Sequence, residues 1–174
     1  MPSRKQPLIE WMFYHVFNRG FGKETIFFEP RDYKRFVENM VKYKQEFDGI
    51  QIYVWCLLPN HFHMLLKSDK SGLEISAFMK KLQQAYAMYF KTKYKSLSPD
   101  LNLLKFPQLF EWRFKAKLID NEDYLNKVAT YIALNPIKHW IVEKTEDWEW
   151  KQSPDSLMNL SPDSMEDMLD ELEF

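Results

Sequence analysis

Residues 50–67 have the sequence IQIYVWCLLPNHFHMLLK, and this stretch decides the fold. Two mainly apolar runs, 50–58 and 61–67, are separated only by the dipeptide Pro59-Asn60. Proline presets φ for a turn and asparagine tolerates a left-handed backbone, so this dipeptide predicts a reversal of the chain. Two such runs joined by so short a turn are typical of a β-hairpin, and we predict one over residues 50–67.

The segments on both sides of the hairpin alternate between strand and helix patterns. Aromatic and β-branched residues predict further strands, and apolar residues at three- and four-residue spacing predict helices. In chain order the predicted elements are a strand over 11–18, a helix over 30–47, the hairpin, a helix over 71–94 and a strand over 114–119.

A last helix completes the pattern. It begins at Asn121 or Glu122 and ends at Leu134, because Pro136 disfavours helical backbone at the residue before it. The complete order is β-α-β-β-α-β followed by α. This order is typical of the ferredoxin-like, split βαβ fold of the α+β class, an antiparallel four-stranded sheet with helices on one face. We therefore predict that fold with one additional helix.

The composition is that of a folded domain of 174 residues. Hydrophobic residues make up 45% and aromatic residues 17%, which excludes a disordered chain. The single cysteine, Cys56, excludes an internal disulfide and a thiolate-rich zinc site, and its apolar neighbours predict a buried thiol. Residues 1–6 are polar, and no apolar run reaches the ~20 residues of a membrane span, so we expect a cytoplasmic protein without a membrane anchor.

The net charge of −1 conceals an uneven distribution. Residues 155–174 contain seven Asp and Glu and no Lys or Arg, so residues 1–154 carry 24 basic and 18 acidic side chains, a balance of +6. A basic body is typical of proteins that bind polyanions, although solvated helix faces produce the same excess. Apolar residues recur at helical spacing in the acidic segment and predict a short amphipathic helix there.

The hairpin carries the sharpest chemical signal, His61 and His63 on its second strand. Alternate residues of a strand share a face, so both imidazoles point to one side. Two imidazoles at this spacing can bind one ion at metal–nitrogen distances of ~2 Å. The alternative is a pair of surface histidines on an edge strand. Of the other two histidines, we expect His15 to be buried on a sheet face and His139 to lie at the surface.

A second signal lies on the last predicted helix, where Tyr131 and Asn135 are one turn apart and share a face. A phenol near a metal that polarises a phosphate oxygen is suited to nucleophilic attack on phosphorus. The phenol is a weak nucleophile while it is protonated, since its ordinary pKa is ~10. The alternative is a core tyrosine, with Asn135 as the C-cap of the helix.

Five segments of the chain together carry a resemblance to one family. They are YHVFNRG (14–20), LPNHFHML (58–65), QAYAMYF with KY (84–90 and 93–94), LFEWRFK (109–115) and YIALNP (131–136). In this order they resemble the HUH single-tyrosine transposases of small insertion sequences, and most closely their REP-associated branch. Each segment is weak alone, whereas five in family order are specific. The resemblance extends over roughly three-quarters of the chain.

The resemblance implies a protein that binds single-stranded or hairpin DNA, cuts one strand through a 5′-phosphotyrosine link and rejoins it. It implies that His61 and His63 are the histidines of the HUH motif, Tyr131 the nucleophile and Asn135 the third metal position. The implied ion is Mg²⁺ or Mn²⁺. Such an ion is harder than imidazoles usually prefer, which is tolerable where phosphate oxygens and waters complete its shell. The implied assembly is a monomer or a homodimer.

The resemblance also divides the chain. Residues 1–154 form the HUH single-tyrosine transposase-like domain, and residues 155–174 are an acidic C-terminal tail outside the match. The tail either folds back over the basic groove and competes with DNA, or is a solvated appendage or partner helix. Trp112 departs from the family pattern, in which a small residue is expected.

Candidate DNA contacts follow from charge and aromatic character. Lysines neutralise phosphates, and guanidinium groups can also bind guanine edges. The basic candidates are Arg19, Lys80, Lys81, Lys91, Lys93, Arg113, Lys115 and Lys117. Of these, Arg113 and Lys115 are favoured because they share a face of the predicted fourth strand. The candidates for stacking on unpaired bases are Tyr86, Tyr89, Phe110 and Trp112.

Two other functions are compatible with the sequence. One is a domesticated DNA-binding protein or repressor on the same fold that no longer cuts DNA, although the intact His-x-His pair and tyrosine argue against it. The other is a structural or RNA-binding ferredoxin-like module with incidental histidines. A covalent protein–DNA adduct that requires Tyr131 distinguishes the enzyme from both.

Overall fold

The computed structural model describes residues 7–97 and 108–153, so the tail over 155–174 lies outside the described residues. The helices and strands follow the predicted order, with one short strand added at the end. They are β1 (Phe13–Arg19), α1 (Pro30–Glu46), β2 (Ile50–Leu58), β3 (His61–Ser68), α2 (Gly72–Leu97), β4 (Lys115–Ile119), α3 (Glu122–Lys138) and β5 (Lys151–Gln152). The bounds of β2 are those that the sequence predicts.

The strands form one antiparallel sheet in the order β4-β1-β3-β2-β5. The first four have the strand order of a ferredoxin-like fold, which confirms the predicted α+β class. β5 is a fifth strand that the sequence analysis did not predict. It pairs through Trp55 with Gln152 and Cys56 with Lys151 only, and two residues are too few for a recognisable strand pattern.

The helices occupy both faces of the sheet. α1 and α2 cover one face, where Phe62, Met64 and Leu66 of β3 join the larger apolar core. α3 covers the other face, where Leu65 packs with Ile132 in a second, smaller cluster. The additional helix thus lies opposite the two helices that the ferredoxin-like pattern predicts on one face. Within residues 7–97 and 108–153, none of the helices combines the length and apolar character required to span a bilayer.

Asp32 ties α1 to α2. Its carboxylate is fully buried and accepts hydrogen bonds from the backbone N–H of Phe28 at 2.9 Å, the hydroxyls of Tyr89 and Tyr94, and the ammonium of Lys93. Burial acts to raise the pKa of this carboxyl, but the hydrogen bonds from Lys93, Tyr94, Phe28 and Tyr89 outweigh it and hold the pKa below the ordinary 3.8. Asp32 is therefore a buried carboxylate whose charge is fully compensated.

α3 begins as predicted and ends later than predicted. Asn121 is its N-cap, and the side chain accepts a hydrogen bond from the backbone N–H of Tyr124 at 2.8 Å. The predicted end at Leu134 is wrong, because the helix continues through Pro136 to Lys138. Proline withholds a single N–H near the end of the helix and is itself buried, so packing outweighs the local preference of the preceding residue.

A Schellman motif closes α3. The N–H of Trp140 donates to the carbonyl of Ile137 at 2.8 Å, and the N–H of Ile141 donates to that of Pro136 at 3.0 Å. Trp140 has a φ of 56°, in the left-handed region where glycine is usual. This last turn carries the chain past His139, whose ring contacts His61 of β3 with 4.8 Å between centroids.

Candidate active site

A pocket of about 680 Å³ lies where the end of β1, the β2–β3 turn and the end of α3 meet. Three of the four residues that the sequence singles out for chemistry, His61, His63 and Tyr131, line it. The fourth, Asn135, is fully buried and is not among the lining residues. The pairing of β3 between β1 and β2, and the packing of α3 on that face, bring these side chains together.

His63 is buried in the middle of the sheet. It pairs with Phe17 of β1 on one side and Cys56 of β2 on the other, and only 5% of it is exposed. Its Nδ1 is hydrogen-bonded to Nε2 of His15 at 2.9 Å. The alternative of two surface histidines on an edge strand is therefore wrong, because β3 is a central strand. His15 is fully buried, as expected from its strand position.

His61 stands at the open end of β3, in contact with solvent. Its Nδ1 is hydrogen-bonded to Oδ1 of Asn60, the residue of the hairpin turn, at 2.6 Å. His139 packs edge-on against its ring and is itself exposed, as expected. Both HUH-like histidines are thus held through Nδ1, and Nε2 is the atom left to bind a ligand.

The imidazoles of the site are neutral near pH 7. Burial, and to a lesser degree the charge of Lys117, lowers the pKa of His15 to about 3. Burial also lowers the pKa of His61 to about 3, with smaller effects from the basic groups around it. Burial lowers the pKa of His63 well below its ordinary 6.5, and the neighbouring His15 adds to this. Neutral imidazoles are the form that binds a metal ion.

Tyr131 reaches the pocket from α3. Its ring centroid lies 5.5 Å from that of His63 and 6.0 Å from that of His15. The Nζ of Lys138, two helical turns further along α3, lies 4.8 Å from the ring centroid. Burial raises the pKa of the Tyr131 phenol, and the Asn135 side chain offsets part of that rise. The phenol is therefore protonated at neutral pH and lies beside a fixed positive charge.

Asn135 lies inside α3 and is not its C-cap, so that part of the alternative is wrong. The other part holds, because Tyr131 is buried within the smaller apolar cluster while it also lines the pocket. Its Nδ2 donates to the backbone carbonyl of Tyr131 at 2.8 Å, the residue one turn earlier. Its Oδ1 is buried and accepts no hydrogen bond from the described part of the chain. A buried amide oxygen without a donor is a candidate ligand for a cation.

The donor set fits a hard divalent ion whose shell is completed from outside the chain. Within the described residues, no three His, Cys, Asp or Glu side chains are grouped as a metal site. Nε2 of His61 and Nε2 of His63 line the pocket and would hold Mg²⁺ or Mn²⁺, with phosphate oxygens and water as further ligands. Oδ1 of Asn135 lies outside that lining, so its predicted part in binding the ion stays a prediction.

Some of the predicted DNA contacts lie at this pocket. Arg19 and Lys115 line it, and Lys117 pairs with His15 across the β1–β4 ladder on the same face of the sheet. The Nε of Arg19 lies 2.6 Å from Oε2 of Glu111, the one acidic residue among the lining side chains that the structure describes. The pocket therefore carries a positive charge suited to a phosphate backbone.

The remaining basic candidates lie elsewhere. Four of them are on α2, in the helical layer on the face of the sheet opposite α3: Lys80, Lys81, Lys91 and Lys93. Lys93 forms its ion pairs with Asp32 and Glu29, and Lys81 forms one with Glu46. Arg113 is exposed and lies outside β4, which begins at Lys115, so the expected shared strand face is wrong for this pair.

The four aromatic candidates for base stacking differ in exposure. Tyr86 and Phe110 belong to the larger core, and the hydroxyl of Tyr86 donates to the carbonyl of Ile26 at 2.5 Å. They cannot stack on a base without unfolding of that core. Tyr89 is half-buried and donates to Asp32. Trp112, in contrast, is 74% exposed.

Among the charged and titratable lining residues, sequence reasoning missed four as site residues: Lys23, Glu111, Lys138 and His139. The last two would follow from seven- and eight-residue spacing after Tyr131, had the helix been extended past Pro136. The position of Lys23 depends on a close approach of two backbone segments after β1. A Cβ on Gly20 would lie 2.0 Å from the carbonyl oxygen of Glu24. No pattern in the sequence indicates that approach.

Known proteins provide comparisons for this arrangement. The profile of the family described as "Transposase IS200 like" matches residues 10–135, a range that includes all four predicted chemical residues. A curated protein of Haemophilus influenzae, named "Putative REP-associated tyrosine transposase", is 23% identical over 95 residues, which cover 55% of this chain. Those residues cover 54% of the relative, so the match spans about half its length.

A solved structure resembles the fold. It is that of a REP-associated tyrosine transposase bound to a REP hairpin, and it superposes with a TM-score of 0.62 at 20% sequence identity. The superposition covers 87% of this chain and 81% of the other.

Proposed function

Because the chain belongs to the family of IS200-like transposases, we propose that it is a tyrosine transposase of the REP-associated type. In this proposal it is a metal-dependent endonuclease and strand transferase for single-stranded or hairpin DNA. It cuts through a 5′-phosphotyrosine intermediate and then rejoins the strand.

One observation carries the proposal: Tyr131, the candidate nucleophile, shares a pocket with the two candidate metal ligands His61 and His63. The Tyr131 and His63 rings are 5.5 Å apart between centroids, and edge-on. A single phosphodiester can therefore contact the phenol and an ion bound at the imidazoles together. Neither histidine carries a proton on both nitrogens, since burial lowers the pKa of each.

The proposed reaction assigns a task to each side chain. The Tyr131 oxygen forms a bond to phosphorus, the bond from phosphorus to the 3′-oxygen breaks, and the phenol proton leaves as that oxygen gains one. His15 and Asn60 hold the rings of His63 and His61 in place through Nδ1. An ion at the two imidazoles would polarise a phosphate oxygen and stabilise the charge that develops on it.

The basic lining of the pocket supports binding of the strand. Arg19, Lys23, Lys115 and Lys138 line it, opposed by Glu111. Lys138 also lies over the Tyr131 ring, where a positive charge favours the anionic form that attacks. The phosphotyrosine link retains the energy of the original phosphodiester, so resealing requires no nucleotide.

The test is formation of a covalent adduct with a labelled DNA hairpin that has single-stranded flanks, in Mg²⁺ or Mn²⁺. We expect an adduct that resists denaturing electrophoresis in the wild type, none in Tyr131→Phe, and an unchanged amount in Tyr124→Phe, the matched control on the same helix. Hairpin binding without an adduct would favour the DNA-binding or repressor alternative. Absence of DNA binding would contradict both.

A further inference from the structure

Three tryptophans combine a left-handed backbone with an exposed ring. Trp11, Trp112 and Trp140 have φ angles of 65°, 40° and 56°. Their exposed fractions are 58%, 74% and 93%. A Cβ is crowded in this region of φ, so glycine is the usual residue, and an exposed indole recovers little by packing. A residue of this kind therefore suggests a functional role where a candidate binding site lies next to it.

Two of these tryptophans directly follow residues that line the catalytic pocket. Trp112 follows Glu111, whose N–H donates to the carbonyl of Arg19 at 2.8 Å. The carbonyl of Trp112 in turn accepts a hydrogen bond at 3.4 Å from Nδ2 of Asn18, a lining residue whose Nδ2 also donates to Oε1 of Gln83 on α2 at 2.6 Å. Trp112 is thereby anchored by its backbone beside the end of β1, while its ring remains in solvent.

Trp140 lies at the end of α3, on the other side of the pocket, and like Trp112 it directly follows a residue that lines the pocket. It follows His139, and its left-handed backbone forms the Schellman motif that ends the helix. Its N–H donates to Ile137 at 2.8 Å, so the backbone is fixed although the side chain is the most exposed of the large apolar ones described. Hydrogen bonds thus fix the backbone of both tryptophans, and both indole rings are exposed and accessible to a ligand.

Trp11 provides an internal contrast. It lies before β1, at the opposite end of the sheet from the pocket, where its N–H donates to the carbonyl of Ser68 at 2.8 Å. The Nζ of Lys67 lies 5.5 Å from the ring centroid. This tryptophan therefore has the same backbone conformation and similar exposure, but it is remote from the pocket and already faces a cation.

We infer that Trp112 and Trp140 are stacking sites for unpaired nucleobases on the two sides of the phosphate that enters the pocket. The inference rests on the proposed function for the identity of the pocket and specifies its substrate as a strand that is single-stranded there. Every base has a π-face, so an exposed indole binds unpaired bases with little sequence preference. Arg19, Lys115 and Lys138 line the pocket, where they can bind phosphates of the same strand.

A duplex cannot use these sites, because its bases are already stacked on each other. The two tryptophans therefore favour a hairpin with unpaired flanks over a blunt hairpin of the same stem. Stacking of one unpaired base on an aromatic side chain is worth about a factor of ten in affinity. Loss of one indole should thus weaken binding of the flanked hairpin by about tenfold.

The experiment compares dissociation constants for a hairpin with thymidine flanks and for its blunt counterpart. It uses the full chain in a Tyr131→Phe background, so that no strand is cut. We expect Trp112→Ala and Trp140→Ala each to weaken binding of the flanked hairpin about tenfold and to leave the blunt hairpin unchanged. Trp11→Ala should change neither. Phenylalanine at either position should restore most of the affinity.

Glycine variants separate stacking from a structural role. Trp112→Gly and Trp140→Gly relieve the crowded backbone, so we expect an equal or higher melting temperature together with the loss of affinity. A structural tryptophan would instead lose stability. Unchanged affinity in both alanine variants, or equal losses for flanked and blunt hairpins, would overturn the inference.

The failure of this inference is distinguishable from that of the proposed function. Tryptophan-dependent binding of the flanked hairpin, without any covalent adduct in the parent chain, would retain the stacking sites and reject cleavage. An adduct formed at the wild-type rate in Trp112→Ala and Trp140→Ala, with unchanged affinity, would retain the enzyme and reject the stacking sites. Absence of DNA binding by the wild type would overturn both.

Discussion

The two faces of the sheet are made by the same strands and bury different chemistry. Under α1 and α2, Phe62 and Met64 of β3 belong to an extensive apolar and aromatic core. Under α3, His61 and His63 of the same strand line a pocket, and the buried His15 supports His63. Strand alternation thus separates the residues that stabilise the fold from those to which we assign the chemistry.

The two faces also differ in the charge state of their buried titratable groups. The helical face buries one carboxylate, Asp32, and compensates it with the Lys93 ammonium and hydroxyl donors. The pocket face instead keeps its buried imidazoles neutral. A compensated charge contributes to stability, whereas a neutral imidazole is available to a ligand that brings its own charge. The contrast suggests experiments that act on one face at a time.

The largest expected effect is on the free energy of unfolding. Phe62→Ala removes a fully buried ring that packs against Phe36 at 5.2 Å between centroids, and should cost ~3–5 kcal/mol. His63→Gln, at the next position, should cost only ~1–2 kcal/mol but abolish the DNA adduct. Urea denaturation of both variants measures the difference. Equal losses would contradict the separation of the two faces.

Acid should weaken the two faces in different pH ranges. Folded His15 has a pKa of about 3, so the unfolded chain takes up the proton first, and stability falls as the pH drops below 6.5. One such imidazole costs ~1.4 kcal/mol per pH unit over that range. The pKa of Asp32 is held below 3.8, so its contribution is complete above that pH and is lost only in stronger acid.

Unfolding free energies measured from neutral pH down to about 4 test this. We expect His15→Leu to reduce the slope by ~1.4 kcal/mol per pH unit, leaving the part due to His61 and His63, whose pKa values are also lowered. Asp32→Asn should lower the whole curve without changing the slope, because Asp32 stays ionised throughout this range. If the pH dependence of the unfolding free energy changed in Asp32→Asn and not in His15→Leu, the assignment of this pH range to the buried imidazole would be wrong.

A smaller effect is expected on metal binding. His15→Leu removes the partner that orients His63 at 2.9 Å and should weaken Mn²⁺ binding ~10–100-fold, the usual effect of losing such a partner. Isothermal titration of the folded variant measures this, with Met64→Leu, a volume-conserving change in the larger core on the opposite face, as the control. Unchanged affinity would show that His15 serves packing only.

The smallest effect concerns basic residues on the two sides of the sheet. Lys115→Gln, at the pocket, should weaken hairpin binding severalfold and reduce its salt dependence by about one phosphate contact. Lys81→Gln, on α2 and paired with Glu46, should change neither. Titrations at several salt concentrations measure both. Equal effects would mean that DNA also contacts the helical layer.

The sequence predicts most of the fold because its signals are local. The apolar run before Pro59-Asn60 and the histidines after it are sufficient to predict the hairpin, and β2 has the predicted bounds. The failures arise where distant packing decides. α3 continues past Pro136 because that turn is buried, and this extra turn brings Lys138 and His139 to the pocket.

The candidate site is predicted in part for the same reason. His61 and His63 share a face by strand alternation, and Tyr131 and Asn135 by helical spacing, so the sequence predicts each pair. The hydrogen bond between His15 and His63 depends on the register of β1 against β3, which pairs Phe17 with His63. Register across many residues leaves no local pattern, and the supporting role of His15 was therefore missed.

The central claim is that Tyr131 attacks a phosphate bound at His61 and His63. The most direct measurement is mass spectrometry of proteolytic peptides after incubation with a flanked hairpin and Mn²⁺. We predict a nucleotide joined through its 5′-phosphate to the Tyr131 peptide, absent without the metal and absent in His63→Gln. A nucleotide on another side chain, or the same adduct without the metal and in His63→Gln, would contradict the account.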